Sequence, residues 1–186
     1  MIVGISYTRA DWEEVLNACR TTIGKKPIAK EPSKKWKKNL LLAEHSPVRK
    51  LQFTVKVYGV KSWIATHFAR HHVGVEKYIS TQRDDRTGKN RDELPQSALV
   101  DMELDLNAQA IINISRKRLC NQAHKETREV WQLILGCIGN ELPELYEVCV
   151  PECVYRGFCP EMKCCGYCNT EEFKEKVKKY RNLTSD

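Results

Sequence analysis

With 186 residues, 41% apolar and 30% charged, the chain has the composition of one globular domain with room for a sizeable core. It contains no run of eighteen apolar residues, which excludes a transmembrane helix, and the start MIVGISYTRADWEE lacks a basic n-region, so no signal peptide and a cytoplasmic location are expected. A net charge of +7 points to an anionic partner, and the nine cysteines of a cytoplasmic chain read as thiols or metal ligands before disulfides.

Met1–Ser6 reads as a short strand. Thr8 or Asp11 can cap a helix reaching about Thr22, with Trp12, Val15, Leu16 and Cys19 on its apolar side. Lys25–Lys38 holds seven lysines and two prolines, the pattern of a solvated loop and a short helix. His45 follows an apolar helix end. In Leu51–Val57 apolar and polar residues alternate, which predicts a half-buried strand that ends at Gly59. From Val60 the period changes. Trp63, Ile64, His67, Phe68 and His71 fall at helical spacing, so Arg70 and His71 sit at a helix C-terminus, where the dipole favours keeping both positively charged.

The stretch from Tyr58 to Pro95 concentrates Arg70, His71, His72, Ser80, Gln82, Arg83 and Arg91. Arginine forks match phosphate oxygens, and so dense a set of donors reads as an anion site, for a nucleotide or a phosphate-bearing cofactor. Gln82–Arg91 is a polar loop in which Asp84 and Asp85 can pair with Arg83 and Arg86. Asp101–Ile138 has no proline and no glycine before Gly136, which predicts one long helix beginning near Asp105 or Asn107. Its spacing aligns Asn107, Ile111, Ile114, Arg118 and Gln122 on one face, with Asn113 off it. Six cysteines then fall within Cys149–Cys168. Cys153, Cys159, Cys165 and Cys168 are candidate ligands for zinc or an iron–sulfur cluster, and reduced thiols are the other reading. A helix from about Thr170 to Tyr180, capped by Asn169, closes the chain.

Four motifs in order resemble the flavin-dependent thymidylate synthases. Arg70-His71-His72, seven residues, then Ser80 is similar to the family's Arg-His-Arg-x7-Ser signature. His45-x-Pro47 before the strand, Arg91-x-x-Leu94-Pro95, and Asn107-x5-Asn113-x4-Arg118 followed by Gln122-Ala123-x-x-Glu126 resemble three further segments. The tail around Cys153, Cys159-Pro160-Glu161 and Cys165-Gly166 is similar to that of some members. The sequence departs from the pattern at His72, at Lys77-Tyr78, at Gln82 where the family has arginine, and in the short Ser80–Arg91 segment.

The resemblance implies an α+β fold with a single sheet packed on long helices, residues 1–148 forming the enzyme-like domain and 149–186 a cysteine-rich extension of it. It implies a homotetramer that methylates dUMP to dTMP with FAD, NADPH and methylenetetrahydrofolate. It also implies that His45, Arg70, His71, His72, Asn107, Asn113 and Gln122 bind FAD. Ser80, Gln82, Arg91 and Arg118 would bind the nucleotide, and Arg118 would be catalytic. Two alternatives stand beside this reading. One is a related flavin enzyme acting on another pyrimidine nucleotide or delivering another one-carbon group. The other is a non-catalytic nucleotide- or nucleic-acid-binding protein that retains the fold, although no DNA-binding motif is present.

Overall fold

Period-two alternation builds the sheet. The computed structural model describes residues 1–185. In it β1 (Ile2–Arg9), β2 (Gln52–Lys61), β3 (Val75–Ile79) and β4 (Leu99–Asn107) form an antiparallel sheet in the order β1-β2-β4-β3. Phe53, Val55, Val57 and Val60 of β2, with Val100, Met102, Leu104 and Leu106 of β4, are buried on one face. The opposite face is polar where the central strands pair. Thr54 donates to Asp105 at 2.6 Å, and Lys56 meets Glu103 at 3.1 Å.

Helices cover the apolar face. α1 (Trp12–Thr22) is capped by Asp11, whose side chain accepts the Glu14 N–H. α2 (Lys34–Leu42) is capped by Ser33, and a 3₁₀ turn at Ser46–Lys50 leads into β2. α3 (Ser62–Ala69) follows β2, and the one-turn helix α4 (Asp84–Thr87) lies between β3 and β4. α5 (Ala108–Arg118) and α6 (Lys125–Glu141) come next, then the short helices α7 (Pro143–Val148) and α8 (Glu152–Arg156). α9 (Glu171–Arg181) ends the described chain, capped by Thr170 and not by Asn169. The core is continuous from Val15 through Trp131 and Ile134 to Val154, Phe173 and Tyr180, so the cysteine-rich segment shares it. Within that core the Trp131 indole N–H donates to Ser115 Oγ at 3.0 Å, which satisfies its polar edge. None of the helices among the described residues is long and apolar enough to cross a membrane.

Three further expectations are corrected. The single helix over Asp101–Ile138 is instead a strand and two helices. Residues 99–107 alternate buried and accessible positions as β4, and Asn107 caps α5 by accepting the Ala110 N–H at 2.9 Å. The chain leaves the helix at Leu119 and re-enters it after His124, whose ring nitrogen accepts the Glu126 N–H. β2 does not stop at Gly59. The glycine takes φ +67 in a bulge between Val57 and Val60, and its N–H donates to Asp101 Oδ1 at 2.9 Å, which lets the strand resume. The lysine-rich stretch is not simply solvated. Lys37 pairs with Glu31 and reaches the ring of Trp12, and Lys38 pairs with Glu147 of α7 at 2.5 Å.

Of the glycines, Gly74 before β3 has the closest neighbour, the side chain of Asn107. Gly74 has φ +71, and a Cβ there would lie 2.4 Å from Asn107 Nδ2. Gly74→Ala therefore lowers unfolding free energy by about 1–3 kcal/mol in urea titrations. Gly4→Ala, at a position with open space around it, stays within about 0.5 kcal/mol of the parent. An unchanged midpoint for Gly74→Ala would contradict the close packing of Asn107 over this turn.

Candidate active site

α3 ends where the cationic cluster begins. Arg70 is its C-cap, so the last carbonyls of the helix face the segment Arg70–His72. Lys77 of β3 lies on the same strand face as the buried Val75 and points back at this helix end. Its ammonium donates to the carbonyls of His71 at 2.7 Å and Ala69 at 3.3 Å, and to His72 Nδ1 at 3.1 Å. A lysine bonded to C-terminal carbonyls complements the negative end of the helix dipole.

α5 brings Arg118 to the same place. Its Nε–H donates to His71 Nε2 at 3.0 Å and its Nη2 to the His67 carbonyl at 2.5 Å. Two of the five guanidinium N–H groups are thereby used, and three remain available. Arg118 is half-buried, and burial together with the nearby Arg70 pulls its pKa down. Among the described residues no carboxylate forms an ion pair with Arg70, His71, His72, Lys77 or Arg118; the acidic side chains pair elsewhere, as in Lys61–Glu126 and Arg83–Asp85. A partly desolvated guanidinium without a counter-ion is expensive unless an anion supplies one.

His71 is therefore neutral, contrary to the expectation from the helix dipole. Burial, Arg118, Lys77 and His72 bring its pKa from 6.5 down to about 4. Because Nε2 accepts from Arg118, the ring proton sits on Nδ1. The neighbouring His67 Nδ1 lies 2.9 Å from Thr127 Oγ1, which ties α3 to α6.

The remaining residues singled out in the sequence lie in three other places. Asn107 is at the same end of the sheet as His71. It borders a cleft of about 330 Å³ lined also by Gly74, Gln52 and Tyr7. Asn113 is on a different face of α5, where its Oδ1 accepts from Gln109 at 3.3 Å. Gln109 in turn donates to Glu44, and Glu44 pairs with Arg116, whose guanidinium stacks 3.6 Å above the Tyr155 ring. His45 is exposed beside Glu44 and makes no capping bond. Gln122 lies past the end of α5 and donates to the Lys163 carbonyl at 2.6 Å.

Ser80 is at the opposite end of β3. Its N–H donates to the Asp101 carbonyl and its Oγ accepts the Asp101 N–H, both at 2.9 Å. Ser80, Gln82, Lys89, Leu94 and Pro95 line a cleft of about 440 Å³. Arg91 is exposed at the start of a 3₁₀ turn, with its N–H on Asp84 Oδ1 at 3.1 Å, and is not part of that lining. Ser80 and Gln82 thus lie past the end of β3 remote from Gly74, while Lys77, midway along the strand, joins the cluster around His71.

The four candidate metal ligands border one small hollow without forming a metal site. Among the described residues no group of three or more Cys, His, Asp or Glu side chains is arranged to hold a metal ion. Cys153 is on α8 and half-buried, Cys165 is exposed, and Cys168 faces Cys164 instead, at 3.2 Å. Sequence reasoning missed Lys77 and His67 as members of the cationic cluster. For Lys77 a signal was present, since it shares strand parity with Val75.

The neutral state of His71 has a measurable sign. A histidine whose folded pKa is depressed contributes stability that is complete above the unfolded pKa and is lost as pH falls from 6.5 toward 4. Unfolding midpoints of the wild type should fall across that window, and His71→Gln should flatten the dependence. By NMR the His71 ring should titrate near pH 4 and move upward in Arg118→Ala. A midpoint of about 6.5 in the wild type would contradict the Arg118–His71 contact.

No family model matches the chain. It is 33% identical over 85 residues to a flavin-dependent thymidylate synthase of Nitratidesulfovibrio vulgaris, a match covering 43% of this chain and 35% of that protein. The match thus spans about a third of the length of that relative. Among solved structures, the fold is similar to the flavin-dependent thymidylate synthase of Helicobacter pylori complexed with FAD and dUMP. The TM-score is 0.66 at 13% identity, covering 81% of this chain and 100% of the other. It is also similar to the UMP/dUMP methylase PolB of Streptomyces cacaoi bound with 5-bromo-dUMP, with a TM-score of 0.64 at 14% identity, covering 84% and 95% of the two chains.

Proposed function

We propose that this chain, a divergent relative of the flavin-dependent thymidylate synthases with their fold, is a flavin-dependent methyltransferase acting on a pyrimidine nucleotide. The reaction we assign is reductive methylation of dUMP to dTMP, with methylenetetrahydrofolate as carbon donor and NADPH as reductant. The observation that carries this reading is the carboxylate-free cluster of Arg70, His72, Lys77 and the half-buried Arg118. Its donor set fits the diphosphate of FAD, because two arginines and two imidazole N–H groups lie close together with no ion-paired carboxylate among the described residues.

FAD, when bound, supplies the electrons that reduce the transferred one-carbon unit. The chain's residues do the rest. Arg70 and the N–H groups of His71 and His72 bind phosphate. His71 does so as a neutral donor through Nδ1, since its Nε2 is occupied by Arg118. Asn107, Asn113, His45 and Gln122 are the further flavin contacts in this reading. Arg118 keeps three N–H groups free to face the pyrimidine, where a guanidinium stabilises negative charge that builds on the ring as its carbon becomes nucleophilic. Ser80 has its hydroxyl proton free for the nucleotide, because its Oγ serves as acceptor for Asp101. Gln82 brings no charge to that cleft. Lys89, which lines it as well, is the cation that offsets this loss, with Arg91 nearby in sequence.

The resemblance extends to assembly, and we take the active form to be a homotetramer with sites shared between subunits. A second reading, supported by Gln82, the short Ser80–Arg91 segment and the fold shared with a UMP/dUMP methylase, is the same chemistry on another pyrimidine nucleotide.

Arg118→Ala tests the assignment. Turnover should fall by about 10²–10³-fold or more, while the variant folds and binds FAD. Retained turnover would overturn the role of Arg118. In the wild type, NADPH should bleach bound flavin, and dUMP with methylenetetrahydrofolate should restore its colour. Restoration by a different pyrimidine nucleotide alone would select the second reading.

A further inference from the structure

In the cysteine-rich loop Cys164 neighbours two thiols, Cys168 and, more loosely, Cys159, and the proposed reaction uses neither. Cys164 Sγ and Cys168 Sγ lie 3.2 Å apart, on either side of a turn that begins at Gly166. The Gly166 N–H donates to Cys164 Sγ at 3.3 Å and holds it toward its partner. Cys164 is exposed and Cys168 partly so, which leaves the pair open to small reagents. A disulfide needs Sγ atoms about 2.05 Å apart, so small side-chain rotations close the gap. Cys165 is also exposed but has no hydrogen bond to either thiol.

We propose that Cys164 and Cys168 form a reversible dithiol–disulfide site whose reaction partner is a low-molecular-weight disulfide. The Cys164 thiolate attacks one sulfur of the reagent, forming a mixed disulfide and releasing one small thiol. The Cys168 thiolate then attacks Cys164 Sγ, closing the protein disulfide and releasing the second. Two protein thiols lose two electrons and two protons, and one small disulfide becomes two thiols. The ring so formed encloses five residues, Cys164 through Cys168. Lys163, immediately before it, accepts the Gln122 amide at 2.6 Å, so the closed ring braces the loop against the junction between α5 and α6. The site stands independently of the flavin reading.

The neighbouring hollow supplies the competing outcome. Cys120, Cys153, Cys159, Cys165 and Cys168 border a space of about 20 Å³. Occupation by zinc would claim Cys168 for metal instead of for Cys164.

The test uses the full chain equilibrated with mixtures of oxidised and reduced glutathione, quenched with acid, alkylated and digested with trypsin. Cleavage after Lys163 and Lys174 releases residues 164–174, which carry Cys164, Cys165 and Cys168. In oxidising mixtures this peptide should carry one alkyl group, on Cys165, and weigh two hydrogens less than expected for two remaining thiols. Excess reduced glutathione should return it to three alkyl groups. Cys165→Ser should form the same disulfide, and Cys164→Ser should leave the other two cysteines fully alkylated. Three alkyl groups in every mixture, or a bond involving Cys159 or Cys165, would overturn the proposal. So would stoichiometric zinc in the purified protein that blocks alkylation until a chelator removes it.

Discussion

Arg118 has to be held in place without a carboxylate, and much of the surrounding structure follows from that constraint. A half-buried guanidinium loses hydration and needs polar partners. The chain offers the His67 carbonyl from α3 and the Nε2 lone pair of a neutral His71. α3 stops at Arg70, α5 stops at Arg118, and both C-termini direct their negative dipole ends toward the cluster. Lys77 fastens the other carbonyls of the α3 end from the strand side. The protein thus offsets part of the charge with backbone oxygens, and the remainder has no carboxylate partner among the described residues.

β3 connects the cationic cluster with the Ser80 cleft. β3 carries the cationic segment at its start and Ser80 at its end, and antiparallel pairing with β4 puts Asn107 beside the first and Asp101 beside the second. The sheet face away from the helices leaves Tyr7, Tyr58 and Tyr78 exposed along with the polar Thr54–Asp105 and Lys56–Glu103 pairs.

Much of this was legible in the sequence, and the gaps have physical reasons. The alternation of Leu51–Val57 and the helical spacing of Trp63–Phe68 each report one dominant burial face, so those elements and the position of Arg70 follow directly. Val100, Met102, Leu104 and Leu106 alternate just as cleanly, but the absence of proline and glycine over the following thirty residues outweighed a period-two signal that β4 obeys. The break at Leu119–His124 has no glycine or proline. It is made by side chains, Arg128 donating to the carbonyls of Asn121 and Ala123 and the His124 ring accepting the Glu126 N–H, which a periodicity argument cannot see. The charge of His71 was misjudged for a similar reason. The dipole of its own helix favours the cation, but Arg118 and Lys77 arrive from distant elements and decide the matter. The cysteines illustrate the limit of spacing. Cys120 joins their neighbourhood from the connection between α5 and α6, and the close contact is Cys164 with Cys168, which skips the tightly spaced Cys165-x-x-Cys168 pair.

The central claim is that the carboxylate-free cluster at the start of β3 is the flavin phosphate site. The most direct measurement is a titration of the purified full chain with FAD, followed by the absorbance of protein-bound flavin, in the wild type and in Arg70→Glu. Arg70 is an exposed helix cap with no ion pair among the described residues, so its replacement leaves the fold intact. The account predicts saturable binding in the wild type and at least about tenfold weaker binding in the variant, the loss expected of a charge-assisted contact worth at least about 1.4 kcal/mol. Equal affinity in the two proteins, or no bound flavin in the wild type at any concentration tried, would contradict it.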